Sequence, residues 1–325
     1  MKTLSEYEGV WVFSENQPLM LELLGKGREI ADKLQTELTA IVLGSGVKEK
    51  AEEAVNYGAD KVYVVDDPKL ETFQAERYLS ALASLTSQYK PETFLIGSTK
   101  DGKALAARLA TRLNTGCVTD CLQIEVTSEK GLTARKIVYG GNAIATITWR
   151  TKPQIATVPP RTFEKPEFKE RKGQIIQVEA ELEEPQTEKV EVKPLEVSQV
   201  KIEEADVIVS CGRGFEKKED LALAEELAKV LNAQVGCSRP LAEDRKWFSE
   251  WIGLSGHKVK PSLYIACGIS GVIQHVAGIR DSKIIVAINT DENAPIVEMA
   301  DYIIVGDIHE MIPAITEAFK KHLSA

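Results

Sequence analysis

Apolar runs alternate with amphipathic segments along the first third of the chain. Short runs rich in Val, Ile and Leu predict buried strands at 10–14, 39–44, 61–67 and 92–99. Apolar residues at helical spacing predict helices at 18–38, 48–60, 71–89 and 105–113. Strict alternation of strand and helix predicts a parallel sheet with right-handed crossovers.

The pattern changes after residue 115. Short β-rich runs separated by turn residues predict further strands and hairpins of the first domain at 121–126, 135–141, 143–149 and 154–160. Residues 164–199 are rich in Glu and Lys, with three prolines and few large apolar residues. This composition predicts a solvated linker that contains one strand, at 173–182.

A second α/β pattern follows the linker. Apolar runs predict strands at 205–214, 234–240, 261–271, 282–291 and 300–307. Helical spacing predicts helices at 219–233 and 308–323. The sequence therefore predicts a two-domain α/β protein. Residues 1–195 form a parallel-sheet domain with an added β-rich segment, and residues 196–325 form a doubly wound domain.

Composition narrows the class of partner. The chain has 325 residues, with 40 Lys and Arg against 49 Asp and Glu, a net charge of −9 and no basic block. This balance argues against a nucleic-acid or anionic-membrane partner. No apolar run reaches bilayer length and the start lacks a secretion signal, so a cytoplasmic protein without a membrane span is predicted. Five cysteines, an odd number, fit reduced thiols, and the spacing of Cys117 and Cys121 alone does not indicate a metal site.

Small and polar residues follow every predicted strand of the second half. Ligands of open parallel sheets bind at the carboxyl ends of the strands. The residues at those ends are Gly212-Arg213-Gly214, Ser238-Arg239, Ser270-Gly271, Asn289 and Asp307. Any one of them fits an ordinary loop, whereas five in succession indicate a site suited to phosphate, ribose and a heteroaromatic ring.

Two glycine-containing stretches add to this prediction. Gln274 and His275 lie in the first turns of a predicted helix that opens at Gly271, where they can face a ligand. Glycines on both sides of Ser255 allow a flat ring to approach the backbone. From the residues alone, His275 is equally consistent with packing, and Arg239 with a surface ion pair of little value.

Several stretches resemble the electron-transfer flavoprotein α subunit. Its flavin-binding half is similar to CSRPLAEDRKW, IGLSGHKVKPSLYIACGISGVIQHVAG, SKIIVAIN and ADYIIVGD, in the same order and spacing. Its amino-terminal half is similar to EGVWVFSE, YGADKVYVVDDP, ARLATRLNTGCVTDC and YGGNAIATI. The resemblance therefore covers nearly the whole chain.

The resemblance implies non-covalent FAD in the second domain. The matching positions are Arg213, Ser238, Arg239, Ile252, Gly253, Leu254, Ser255, Ser270, Gly271, Val272, Ile273, Gln274, His275, Asn289, Asp307 and Ile308. In such proteins Arg239 lies over the isoalloxazine, Ser255 stands near flavin N5 and His275 near the O2 carbonyl. Gln274 contacts the flavin or its ribityl chain. A cation and a donor at these places favour the reduced ring and raise its reduction potential.

The resemblance also implies partners. It predicts a heterodimer with a β subunit that packs on the first domain. The pair carries electrons from flavin dehydrogenases of the acyl-CoA dehydrogenase type to an acceptor such as a quinone reductase or ferredoxin. A carrier of this kind performs no substrate chemistry of its own, so we expect no catalytic nucleophile or general base and no metal.

Two departures from the family pattern leave alternatives open. Many relatives have Gly-Gln-Thr-Gly where this chain has Gly253-Leu254-Ser255-Gly256, so Leu254 removes a hydrogen-bonding side chain. The electron-bifurcating branch commonly has Thr-Val-Arg-Pro-Gly where this chain has 157–161, Thr-Val-Pro-Pro-Arg. A bifurcating NADH-oxidising complex, with Arg161 replacing the missing arginine, is one alternative. An adenine-nucleotide-binding module without flavin chemistry is another.

Overall fold

The computed structural model describes residues 6–127, 131–139, 143–187, 191 and 202–323. The chain divides into two compact units, residues 1–191 and 192–325. The predicted domain boundary at 195 and the end of the predicted strand 135–141 lie outside the described residues.

The first unit contains ten strands and four helices in its described part. The strands are β1 (Val10–Phe13), β2 (Leu38–Gly44), β3 (Lys61–Asp66), β4 (Thr93–Gly97), β5 (Cys117–Val118), β6 (Gln123–Val126), β7 (Leu132–Val138), β8 (Ala143–Thr148), β9 (Gln154–Val158) and β10 (Gln174–Gln177). The helices are α1 (Gln17–Leu34), α2 (Lys48–Asn56), α3 (Ala75–Tyr89) and α4 (Lys100–Arg112). Short 3₁₀ turns join other elements, such as Pro68–Leu70.

Seven of these strands form one parallel sheet in the order β10-β3-β2-β1-β4-β9-β5. The central strands β1 and β4 are buried along their whole length, because helices cover both faces of the sheet. Strands β6, β7 and β8 form a separate antiparallel sheet. The predicted parallel sheet with an added β-rich segment is therefore confirmed, and β9 belongs to the main sheet.

The strand predicted within 173–182 is confirmed as β10, but residues 164–184 belong to the first unit and are not a free linker. Strand β10 pairs in parallel with β3 at the edge of the main sheet, and Val178 and Leu182 pack on the core beneath α3 and α4. Glu184 forms ion pairs with Lys69 at 2.8 Å and Arg77 at 3.1 Å. Charged residues dominate the composition, but the alternating apolar ones make this segment part of the first unit.

The second unit contains a five-stranded parallel sheet. Its strands are β11 (Val207–Cys211), β12 (Gln234–Cys237), β13 (Leu263–Cys267), β14 (Ile285–Asn289) and β15 (Tyr302–Val305), in the order β12-β11-β13-β14-β15. Its helices are α5 (Leu221–Leu231), α6 (Arg239–Glu243), α7 (Ile273–Ile279) and α8 (Ile308–Leu323). This confirms the predicted doubly wound arrangement, with one core beneath α5 and α8 and another beneath α7.

Two local predictions in this unit need correction. Arg239 begins the short helix α6 rather than lying in a loop, because Ser238 adopts an extended cap conformation and Pro240 suits the first helical turn. Helix α7 begins at Ile273, two residues after Gly271, because Gly271 has a left-handed φ of 81°. Among the described residues, no helix is both long and apolar enough to cross a membrane.

Candidate functional site

The carboxyl edge of the second sheet has a topological switch point. After β11 the chain moves to β12 on one side, and it then returns to β13 on the other side of β11. Loops that leave neighbouring strands in opposite directions open a crevice between them. Arg213 follows β11 and Ser270 follows β13, so both predicted residues lie beside this crevice.

Glycines let the two loops at the crevice meet backbone to backbone. The Gly214 amide donates to the Gly268 carbonyl at 3.1 Å. A Cβ on Gly212 would stand 2.2 Å from the Gly268 oxygen, so no side chain fits there. Arg213 between these glycines is exposed. The loop therefore presents a cation from a tightly packed backbone.

The predicted site residues divide into an exposed and a buried set. The exposed ones are Arg213, Arg239, Leu254, Ser255, Ser270, Val272, Ile273, Gln274 and Asp307, with Asn289 half-buried. The buried ones are Ser238, Ile252, Gly253, Gly271, His275 and Ile308. The second set holds the loops in place, and the first set is available to a ligand.

The turn that carries Ser255 packs against α7. The Ile252 amide donates to the Cys237 carbonyl at 2.9 Å, and the Leu254 amide donates to the Gln274 carbonyl at 2.7 Å. Two glycines permit this contact, because a Cβ on Gly278 would stand 2.5 Å from the Gly253 Cα. The segment 252–255 is thereby held beside residues 274 and 275, as the prediction requires.

Three exposed apolar side chains lie along this junction. Leu254 is 40%, Val272 52% and Ile273 55% exposed, high values for residues of these types. The hydrogen bond from Leu254 to Gln274 keeps the turn close to the start of α7. An apolar surface bordered by hydroxyl, amide and guanidinium groups suits a flat, partly polar ligand.

His275 is a buried neutral histidine. Its side chain is 4% exposed, and its Nε2 lies 2.9 Å from the Tyr264 hydroxyl. Burial lowers the pKa of His275 to about 4, and a hydrogen bond with the Ile252 backbone acts in the opposite direction. Burial also raises the pKa of Tyr264 well above its usual value, so the phenol keeps its proton. With Tyr264 donating to Nε2, the imidazole proton is assigned to Nδ1.

Nδ1 of His275 makes no hydrogen bond of normal geometry among the described residues, although the Ile252 backbone lies close enough to the ring to raise its pKa. A buried N–H with a poorly placed acceptor is less stable than one that is fully hydrogen-bonded. His275 therefore packs on Tyr264, which is one of its two interpretations from the sequence. Its contact with a ligand stays a prediction.

Arg239 lies against an aromatic ring that sequence reasoning missed. Its guanidinium carbon is 5.6 Å from the Trp251 ring centroid, and the side chain is exposed on its other sides. A cation–π contact orients the guanidinium without neutralising its charge. The signal in the sequence was an aromatic residue directly before the Ile252–Gly256 turn.

The last two strands bring Asn289 and Asp307 to the same edge. The Gly306 amide donates to the Asn289 carbonyl at 3.0 Å, and Asn289 Nδ2 donates to the Ile269 carbonyl at 2.9 Å. The backbone amide of His309 donates to Asp307, and its ring contacts the same carboxyl, which lowers the pKa of Asp307. Asp307 is therefore an anionic acceptor, suited to hydroxyl groups of a ligand.

Two surface clefts occur in the first unit but offer less chemistry. They have volumes of about 520 and 360 Å³ and lie on either side of Pro166 and Glu167. Their cations are already paired, Lys26 with Glu29 at 2.7 Å and Arg28 with Asp60 at 2.6 Å. The carboxyl edge of the second unit is the stronger candidate site.

Comparison with known proteins gives two family matches. The model for the electron transfer flavoprotein domain matches residues 10–183. The model for the electron transfer flavoprotein FAD-binding domain matches residues 201–280. One match lies in each unit, and residues 281–325 of the second unit lie outside them.

Individual relatives match over nearly the full chain. Protein FixB of Clostridium saccharobutylicum is 43% identical over 99% of this chain and 99% of its own. The electron transfer flavoprotein subunit alpha of Thermoanaerobacterium thermosaccharolyticum is 39% identical over 98% of this chain and 99% of its own. The lactate dehydrogenase (NAD(+),ferredoxin) subunit LctC of Acetobacterium woodii is 37% identical over 95% of this chain and 76% of its own.

Substitution of Gly271 tests the packing of the site loop. Gly271→Ala places a Cβ 2.3 Å from the Ile296 nitrogen at a φ of 81°. Gly46→Ala is the matched control, because Gly46 has a φ of 65° and nothing within 4 Å. The left-handed backbone lowers the free energy of unfolding of both variants by about 1–2 kcal/mol, and overpacking lowers that of Gly271→Ala by roughly 1–3 kcal/mol more. Urea unfolding measures the free energy of unfolding of both variants. Equal losses of this free energy would contradict the close approach of Gly271 to Ile296.

Acid titration tests the buried state of His275. Its folded pKa of about 4 lies below the unfolded value near 6.5, so the unfolded chain binds the proton first as pH falls. Stability is therefore full above pH 6.5 and falls toward pH 4, by at most about 1.4 kcal/mol per pH unit. His275→Gln removes this contribution, whereas the exposed control His322→Gln keeps it. An unchanged acid response in His275→Gln would contradict the assignment.

Proposed function

The chain belongs to the electron transfer flavoprotein family as an α-type subunit, and from this we infer that its second unit binds FAD for electron transfer. It forms a heterodimer with a β subunit and passes electrons from flavin dehydrogenases of the acyl-CoA dehydrogenase type to a quinone reductase or ferredoxin. The observation that carries the proposal is the switch-point edge, where all five strands end in candidate ligand-binding residues.

The residues present fit the parts of FAD. Glycines at 212, 214 and 268 bring the two loops into backbone contact and leave the Arg213 cation exposed beside that contact, and such a cation suits a pyrophosphate. The acceptors Asn289 and Asp307 suit the hydroxyls of a ribose. The exposed apolar side chains of Leu254, Val272 and Ile273 suit a flat ring. Helix α7 has only seven residues, so the backbone crevice and Arg213, rather than a helix dipole, are the main anion-binding groups.

FAD, when bound, supplies one- and two-electron redox chemistry. The chain itself supplies binding, orientation and electrostatics. Arg239 is a permanent cation held by Trp251, and it favours negative charge on a neighbouring ring. Ser255 offers a hydroxyl at the tip of an ordered turn, and the neutral His275 offers its Nδ1 donor. These three groups stabilise a reduced ring more than an oxidised one.

A bifurcating role is the second candidate. The relative LctC is by name a subunit of an NAD- and ferredoxin-dependent lactate dehydrogenase, which favours such a role. In this chain β9 ends at Val158, and Arg161 follows two prolines with a left-handed φ of 60°. The Arg161 amide donates to Glu22 at 2.6 Å, so its backbone position is defined. Arg161 is accordingly the residue to test for replacement of the family arginine.

Cofactor content is the first test of the proposal. The chain is co-expressed with an electron transfer flavoprotein β subunit of the same organism and purified without added flavin. We expect yellow protein with one non-covalent FAD per α chain, measured by visible absorption and by release on denaturation. Colourless protein that binds ATP or AMP and takes up no FAD would support an adenine-nucleotide module instead. NADH-driven reduction of ferredoxin together with a high-potential acceptor would identify a bifurcating complex.

Arg239 provides a sharper test of redox tuning. A cation–π contact in a desolvated site is worth roughly 1–2 kcal/mol, and a one-electron couple shifts about 59 mV for each tenfold change. Arg239→Ala should therefore lower the midpoint potential of the first electron by on the order of 40–90 mV. FAD should remain bound, because the crevice and Arg213 are unchanged.

Redox titration of the flavin-replete proteins measures this shift. Arg280→Ala is the control, an exposed arginine that follows α7 at the end of the helix away from Gly271. The control should have the wild-type potential. An unaltered potential in Arg239→Ala would remove Arg239 from the site and weaken the roles of Ser255 and His275.

A further inference from the structure

His257 closes the turn that carries Ser255. Its amide donates to the Trp251 carbonyl at 2.8 Å, and its carbonyl accepts from the Gly253 amide at 3.0 Å. Residues 251–257 thus form a compact loop with Ser255 exposed at its tip. The entry side of the loop is held to the sheet and to α7 by the bonds of Ile252 and Leu254. The exit side is held by the Val259 amide, which donates to the Gly278 carbonyl at 2.8 Å, and by the His257 side chain.

The imidazole of His257 lies between two carboxylates. Its Nδ1 hydrogen-bonds to Glu203, and its Nε2 lies 3.0 Å from Glu250 Oε2. Glu203 belongs to the 3₁₀ turn Ile202–Glu204 that leads into β11, and Glu250 directly precedes Trp251. The ring is 20% exposed, the Glu203 side chain 39% and the Glu250 side chain 62%, so the contact with Glu203 is the better shielded from water. One side chain therefore joins the loop to two separate segments.

Only a protonated ring can make both contacts. A neutral imidazole has one N–H, whereas the imidazolium donates from both nitrogens. The hydrogen bond to Glu203 raises the pKa of His257, burial opposes it, and the charges of Glu203 and Glu250 raise it further. Lys258 and Lys260 beside it in the chain are exposed. The geometry and the charges both favour the cation at neutral pH.

We propose that His257 is a positioning residue whose imidazolium, held by Glu203 and Glu250, fixes the Ser255 turn for the bound flavin. The role of this turn toward a bound flavin rests on the proposed FAD function. Because the folded pKa is raised, the clamp is fully present below the unfolded value near 6.5 and is lost as pH rises through the folded value. The turn is therefore ordered below pH 6.5 and loosens as pH rises through the folded pKa.

An ordinary surface ion pair is the simpler interpretation, and it makes a different prediction. Such a pair contributes little and affects only stability. A clamp on the Ser255 turn also changes local amide protection and the flavin potential. His257→Gln and His257→Arg separate these cases, because Gln lacks the charge and Arg keeps a two-pronged cation that does not titrate. Glu250→Gln is a second test on the partner side, and His322→Gln is the matched control.

Hydrogen exchange of residues 252–257 measures the clamp without any flavin. Protection factors, corrected for intrinsic rates, are compared between pH 6 and pH 9. We expect wild-type and His322→Gln protection to fall roughly fivefold across this range. Amide protection should stay high in His257→Arg and low in His257→Gln at both pH values. In Glu250→Gln it should be intermediate. Wild-type protection in His257→Gln, or a wild-type pH response in His257→Arg, would overturn the clamp.

The flavin potential of the same variants measures positioning. We expect the wild-type potential in His257→Arg at neutral pH and a lowered one in His257→Gln, with FAD still bound. If exchange responds but all variants share one potential, His257 does not position Ser255 for the flavin. If wild-type protein takes up no FAD, the proposed function fails, while the exchange data still decide whether the clamp exists.

Discussion

The backbone contact between Gly212-Gly214 and Gly268 is the constraint on which the candidate site depends. Loops at the ends of β11 and β13 touch without intervening side chains, since a Cβ on Gly212 would lie 2.2 Å from the Gly268 oxygen. This contact sets the width of the switch-point crevice and leaves Arg213 on the surface. Any side chain at these glycines would push the loops apart and move Ser270 and Gly271 with them.

A second backbone contact places the groups that we propose to tune the flavin. Gly253 meets Gly278, so the Ser255 turn and α7 share one edge, and His275 on α7 reaches Tyr264 beneath it. The three strands below end in Cys211, Cys237 and Cys267, all buried. Burial raises the pKa of Cys237 and Cys267 to about 12, and that of Cys211 well above its usual value. These buried thiols stay protonated, so they are unreactive residues beneath the site.

Periodic patterns of apolar residues predicted most of the helices and strands. They failed in segments where apolar and charged residues are mixed. The strands β1–β4 and β11–β14 were predicted correctly because parallel strands that are largely buried are continuous apolar runs, and β15 was predicted from an equally apolar run although it is mostly exposed. Residues 164–184 were misread as linker, since Glu and Lys hide the alternation that attaches β10 and Leu182 to the first unit. Helix α6 was missed because five residues are too few for a helical period.

The sequence by itself determined the two parallel sheets, the chain positions of the site residues and, through its motifs, the family. Strand ends and glycines are local properties, and they can be read from neighbouring residues. Only the tertiary structure decided that His275 is buried and neutral with no hydrogen bond of normal geometry at Nδ1, that Trp251 supports Arg239, and that Glu203 meets His257. These facts join residues from different segments, and burial and pKa depend on the surroundings that folding creates.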